Sequence, residues 1–194
     1  MSPAVSRSSL PGRTRRSAAA LLGLALLGAC SSLPPRPWEP VPYREPQVDI
    51  VDYEIQLDID HKAGWVAGTV AIEFMALPGE AVRSLQLDAV GLNVQGAWDS
   101  EGRDLAVDDD ESTIRIHLAQ ALQPGVSEIV SLQYDAFPRR GIHFAPPDGR
   151  DESRAWHVWT QGQAEETRHW LPVWDIPNDR ATHTLSLTVD DELL

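Results

Sequence analysis

The residue types that support chemistry are unevenly spread along this chain of 194 residues. Six histidines, His61, His117, His143, His157, His169 and His183, are dispersed over the sequence, mostly one to each expected strand. There is no His-Glu-x-x-His and no Cys/His cluster, so a complete zinc site is not expected in this chain. No Gly-x-Ser-x-Gly marks a nucleophilic serine. The 29 Asp and Glu are too many for a glycosidase pair to be chosen by type alone. The run Asp108-Asp109-Asp110-Glu111 lacks the spaced oxygen ligands and the glycine of a calcium loop and reads as a solvated hairpin tip. What stands out is Trp156 to Pro177, Trp-His-Val-Trp-Thr-Gln-Gly-Gln-Ala-Glu-Glu-Thr-Arg-His-Trp-Leu-Pro-Val-Trp-Asp-Ile-Pro, which holds four of the seven tryptophans. Polar residues packed among so many large rings make either a buried hydrogen-bonded turn or the wall of a binding cleft.

The elements that must hold this segment are strands. Tyr53, Ile55, Leu57 and Ile59 alternate with Glu54, Gln56, Asp58 and Asp60, the period of two that sends one face to a core and the other to water. His61-Lys62-Ala63-Gly64 then turns the chain into a second run, with Val70, Ile72 and Phe74 on one side, so the pair is expected as a hairpin. Short segments follow at Ser84 to Leu87, Leu92 to Trp98, Leu105 to Val107, Thr113 to Leu118, Glu128 to Tyr134 and Thr182 to Val189, separated by turn residues. With no long 3.6-residue apolar period beyond the N-terminal region, the expected fold class is all-β, an antiparallel sandwich or saddle-like sheet.

The N-terminus is different text. Arg7, Arg13, Arg15 and Arg16 precede an apolar run from Ala18 to Ala29, too short to span a bilayer as a helix and ordered like a secretory signal. The run ends in Leu27-Gly28-Ala29-Cys30, which resembles the bacterial lipobox. That resemblance implies removal of residues 1–29, lipidation of Cys30, and, because Ser31 follows the cysteine, an anchor in the outer membrane of the cell envelope. The next stretch, residues 30–47, carries six prolines between Pro34 and Pro46 and is expected as a Pro-rich tether in extended geometry. Residues 48–194 are left as one β domain. The net charge of −13, with the only basic cluster inside the signal, argues against a nucleic-acid partner.

Thr160-Gln161-Gly162-Gln163, Arg168-His169-Trp170-Leu171-Pro172 and Asp175-x-Pro177 resemble, in order and spacing, the segment closing the N-terminal domain of the M1 (gluzincin) metallopeptidases of the aminopeptidase N and leukotriene A4 hydrolase type. The resemblance extends over Val48 to Val189. It implies a saddle-like β domain whose last loop reaches into a cleft built mainly by a separate catalytic domain. It also implies substrate binding through Gln161 and Gln163, with Gln163 at the position where most of the family carries a Glu that anchors the substrate's free α-ammonium. An amide oxygen still accepts a hydrogen bond from an ammonium, without the attraction of a full negative charge. Arg168, Trp170, Pro172, Asp175 and Pro177 read as structural, the Arg and Asp pairing with backbone or with each other and the prolines fixing the turn. The family's Gly-x-Met-Glu-Asn and His-Glu-x-x-His do not occur in the sequence, so no catalytic residue, metal site or cofactor is expected here, and zinc is expected only in a missing catalytic domain. The expected partners are a membrane, through lipid on Cys30, and a peptidase catalytic domain in cis. The alternative is a stand-alone β-sandwich lipoprotein that binds an unknown protein partner through its tryptophan-rich face.

Overall fold

The computed structural model describes residues 44–147 and 155–193. Cys30, the expected signal and the expected tether through residue 43 lie outside the described residues. Ten strands run through the rest: β1 (Val48–Asp60), β2 (Trp65–Ala76), β3 (Val82–Asp88), β4 (Leu92–Asp99), β5 (Val107–Asp109), β6 (Thr113–Leu122), β7 (Ser127–Ala136), β8 (Ile142–Ala145), β9 (His157–Thr160) and β10 (Thr182–Thr188). A five-stranded sheet has the order β10-β1-β2-β7-β4, a three-stranded sheet the order β3-β6-β5, and β8 and β9 form a ribbon of their own. The only helical pieces among the described residues are two single 3₁₀ turns, Thr167–His169 and Asp191–Leu193. The fold is therefore nearly all-β.

One pairing departs from the antiparallel expectation: β10 lies parallel to β1, with Ile55 beside Leu185 and Leu57 beside Leu187. A parallel partner needs a long crossover, and the chain supplies one by leaving the sheet after β7 and passing through the ribbon and the tryptophan-rich segment before it returns.

The alternation in β1 reverses phase. Val48 and Ile50 point inward, and a bulge between Ile50 and Asp52 moves the inward set to Tyr53, Ile55 and Leu57. Facing strands add Val70, Ile72 and Phe74 from β2 and Val130, Leu132 and Tyr134 from β7. The inner face of the smaller sheet adds Leu85, Leu87, Ile114 and Ile116, and all of these belong to one apolar cluster. Each large side chain sealed this way contributes about 1.5–3 kcal/mol of transfer free energy. In the middle of the inner row of β2, Gly68 lets β1 come close, since a Cβ there would sit 2.1 Å from the Gln56 carbonyl oxygen.

The acidic run at Asp108–Glu111 turns β5 into β6. Asp110 accepts from the backbone N–H groups of Ser112 and Thr113 and from both hydroxyls. Those bonds, the Thr113 N–H foremost, hold its carboxyl down at about 2. This is the hairpin tip expected from its composition.

Replacing Phe74, which is fully buried, with alanine is expected to cost about 3–5 kcal/mol of stability in urea unfolding. Arg83→Ala, at an exposed position of β3, should stay within about 0.5 kcal/mol of the parent.

Candidate functional site

The segment that resembles a substrate loop begins on the ribbon. β8 and β9 pair Ile142 with Thr160, His143 with Trp159 and Phe144 with Val158. The ladder runs one step further, the Gln161 N–H donating to the Gly141 carbonyl at 2.8 Å. Gly141 has φ +78, and a Cβ there would lie 2.0 Å from the Glu166 carbonyl oxygen, so only glycine lets the following turn fold back over the ribbon. Within that turn the Glu166 N–H donates to the Gly162 carbonyl at 3.1 Å, the Gln163–Ala164 peptide is cis, and Thr167–His169 closes as a 3₁₀ turn. Gln161 and Gln163 both sit on this turn and both are exposed. The structure thus puts them on one short, tied-down stretch.

What ties it down is a buried carboxylate. Asp88, at the end of β3, is 4% exposed. It accepts from Arg44, Nη1 to Oδ1 at 3.3 Å and Nη2 to Oδ2 at 3.1 Å, and from the Asp175 N–H at 3.0 Å. Its backbone exchanges two hydrogen bonds with Val173, at 2.7 and 3.1 Å. Arg168 Nη1 approaches the same carboxylate at 3.9 Å, while its Nε meets Asp175 Oδ2 at 3.1 Å and its Nη2 meets Glu165 Oε2 at 2.9 Å. Arg168 pairs with both the side chain and the backbone carbonyl of Asp175, the two kinds of partner expected for it, and this is one half of a larger network. Arg44 also lies over the Trp174 ring, 4.0 Å from its centroid, where a cation gains from the ring quadrupole.

Two tyrosines reach up from the sheet to the same segment. The Tyr53 hydroxyl accepts the Trp174 N–H at 3.0 Å, and the Tyr134 hydroxyl donates to the Trp170 carbonyl at 3.1 Å. Burial raises the pKa of both phenols, so both stay protonated. His169 is half-buried, and desolvation first, offset in part by Glu166, lowers its pKa below 6.5. Arg140 pairs with Glu166 across the base of the turn.

The remaining histidines stay apart. His61 meets Trp156 edge-on at 4.9 Å, His143 stacks on Trp159 at 4.0 Å, and His117 bonds to Asp108 at 2.7 Å. Among the described residues no three His, Cys, Asp or Glu side chains gather in a metal-ligand arrangement. The described residues do not fit a zinc ion. No helix among the described residues is long and apolar enough to cross a membrane. Asp88, Arg44 and Gly141 escaped the sequence reading as parts of this site. One acid among 29 and one arginine set between prolines carry no local mark of a partner far along the chain.

Residues 50–194 match the model of the peptidase M1 N-terminal domain family. The chain belongs to that family. Among solved structures it is similar to the M1 zinc metallopeptidase of Deinococcus radiodurans, with TM-score 0.60, 24% identity, and coverage of 74% of this chain and 32% of that one. A point mutant of that enzyme bound to a Tyr-Ser-Ala substrate matches at 0.60 and 23%, covering 74% and 33%. Native leukotriene A4 hydrolase from Saccharomyces cerevisiae matches at 0.64 and 16%, covering 74% and 23%. The chain spans about a third or less of the length of these enzymes. At these identities the likeness is one of fold. No curated protein matches the sequence.

Asp88→Asn keeps the shape and removes the charge from between two guanidiniums. It is expected to cost about 2–3 kcal/mol, less than a fully buried pair because Arg44 and Arg168 keep wet edges, measured by urea unfolding. The lowered His169 pKa carries its own sign. The unfolded chain binds the proton more readily, so this contribution is whole above pH 6.5 and is lost as pH falls through the lower folded value. His169→Gln should flatten that part of the stability curve between about pH 7 and pH 5.

Proposed function

We propose that this chain is the substrate-recognising front domain of a lipid-anchored M1-type zinc aminopeptidase, and that it does not hydrolyse peptides by itself. The observation that carries the reading is the Gln161-to-Asp175 segment, clamped to β3 through Asp88 with its two glutamines turned to solvent. A recognition loop must be rigid where it meets the fold and open where it meets the ligand. Gln161 and Gln163 then receive a peptide's free α-ammonium through their amide oxygens. Because both acceptors are neutral, the chain favours an amino terminus less strongly than a carboxylate would. Zinc, the general base and the water nucleophile are assigned to a separate catalytic domain joined in cis, and the lipid on Cys30 holds the assembly at the outer membrane.

A second reading, a stand-alone binding lipoprotein, draws on the large apolar side chains left open at Phe137, Trp159, Leu185 and Leu187. Sequencing the DNA beyond codon 194 separates the two. A frame that continues through Gly-x-Met-Glu-Asn and His-Glu-x-x-His supports the peptidase reading, and a stop codon with neither motif removes it.

For the loop itself, Gln163→Glu is expected to tighten binding of L-alaninamide about threefold to tenfold by converting a neutral acceptor to a charged one. Calorimetric titration measures this, and no gain would remove Gln163 from the ammonium site. For the anchor, cells fed an alkyne-bearing fatty acid should label the wild-type chain and leave Cys30→Ser unlabelled.

A further inference from the structure

The outer face of the five-stranded sheet, away from the core, carries a hollow of about 490 Å³. That lies within the range of about 300–1,000 Å³ usual for small-molecule sites. Its shape follows from residue sizes in register. β2 places Thr69 between Gln56 of β1 and Gln133 of β7, and Ala67 between Asp58 and Asp135. The middle strand is thus lower than both neighbours, and β10 adds Ser186 beside Gln56 and Thr188 beside Asp58. The row from Ser186 to Gln133 crosses four strands, about 14 Å for strands about 4.8 Å apart. The hollow shares no residue with the turn that carries Gln161 and Gln163.

One end of the hollow is braced. β4 bulges between Val94 and Gly96, and the inserted Gln95 joins Asn93 on a single acceptor, Asp135. Gln95 Nε2 donates to it at 2.7 Å and Asn93 Nδ2 at 2.8 Å. The Trp65 side chain meets the same carboxylate, and these contacts, Gln95 foremost, hold the Asp135 carboxyl below its usual range. Trp65 is half-buried and lines the hollow. Its one polar atom is turned to Asp135, so what it offers a ligand is ring surface. Gln56 and Gln133 are exposed, and neither amide bonds to a described residue.

We propose that this hollow binds a neutral oligosaccharide, with the ring of Trp65 against the C–H face of one sugar and the amides of Gln56, Gln95 and Gln133 on its hydroxyls. A carboxamide sets a donor and an acceptor side by side, and each sugar hydroxyl is both, so the two match pair by pair. Charge narrows the choice of ligand. Among the described residues lining the hollow the only charged one is Asp58, and no Lys or Arg is among them. Anionic sugars, phosphates and nucleic acids therefore find no counter-charge. A peptide laid here reaches side chains alone, because the backbone groups of β1, β2 and β7 are engaged in their own ladders. An apolar ligand would take the amides out of water without replacing their hydrogen bonds.

The test is an NMR titration of the full chain with cellotetraose, maltotetraose and tetra-N-acetylchitotetraose, with tetragalacturonate as the anionic control. It follows the indole N–H signal that disappears in Trp65→Phe and the side-chain amide signals that disappear in Gln56→Ala and Gln133→Ala. The expected result is movement of all three signals with a neutral tetrasaccharide at millimolar concentration, unaffected by added salt, and no movement with tetragalacturonate. Gln56→Ala and Gln133→Ala, both at exposed positions, should each weaken that binding about two- to tenfold while the backbone spectrum stays that of the folded parent. Binding of a neutral tetrasaccharide that neither substitution weakens overturns the site. Silence of the three signals with every neutral tetrasaccharide does the same. Tetragalacturonate binding as tightly as the neutral compounds, and weakening with salt, overturns the assignment to a neutral ligand.

Discussion

A single carboxylate, Asp88, holds together parts of the chain that strand pairing leaves unconnected. It is buried at the edge of the small sheet and takes hydrogen bonds from Arg44, which leads into the domain, and from the backbone of Asp175, which closes it. A carboxylate removed from water must find compensation for its lost hydration, and two guanidiniums and an N–H provide it. The fold thereby turns an expensive group into a fastener, because no one of these segments leaves without stranding a charge. Trp174 completes the arrangement, its ring stacked by Arg44 on one side, its backbone N–H donating to the Tyr53 hydroxyl and its indole N–H to Asn178.

Rigidity of this kind explains how an exposed turn can present side chains at fixed positions. Gln161 is tied by its backbone to Gly141, and Glu166 to Gly162, so the irregular stretch between ribbon and 3₁₀ turn has its main-chain groups engaged at both ends. Functional side chains placed on loops need such support from the scaffold beneath. Here the support comes from the sheet through two tyrosine hydroxyls and from the small sheet through Asp88.

Much of the architecture is legible in the sequence because apolar alternation reports burial directly. Val70, Ile72 and Phe74, or Tyr53, Ile55 and Leu57, declare their side of the sheet by spacing alone, and the structure buries all six. Alternation fails where the backbone inserts a residue. The bulges near Val51 in β1 and Gln95 in β4 flip the phase, so Val48 and Ile50 fall out of the pattern although they are core. A structural role for Arg168 and Asp175 was readable, since they bracket an aromatic turn fixed by Pro172 and Pro177, though their spacing does not say whether they meet each other or backbone. The link to Asp88 was not, since 87 positions separate it from Asp175 and any acid in the chain was an equal candidate. The orientation of Trp159 was likewise hidden, because a segment with four tryptophans reads equally as a buried turn or a cleft wall and only the ribbon's register tells which ring faces out.

The parallel seat of β10 beside β1 has a kinetic meaning. Asp52 and Thr182, which sit side by side and share a side-chain hydrogen bond, are 130 positions apart. During synthesis from the N-terminal end, the hairpin of β1 and β2 is available early, while the strand that caps its free edge arrives only after the ribbon and the tryptophan-rich turn. Until then β1 presents an unpaired row of N–H and C=O groups, the kind of edge that recruits other chains. Closing a loop of that length is slow compared with forming a local hairpin, so completion of the sheet is a late event that waits on the same segment that carries the glutamines. The outer face of β1 carries Asp52, Glu54 and Asp58 around Gln56, and that run of negative charge discourages edge-to-edge association while the strand waits for its neighbour.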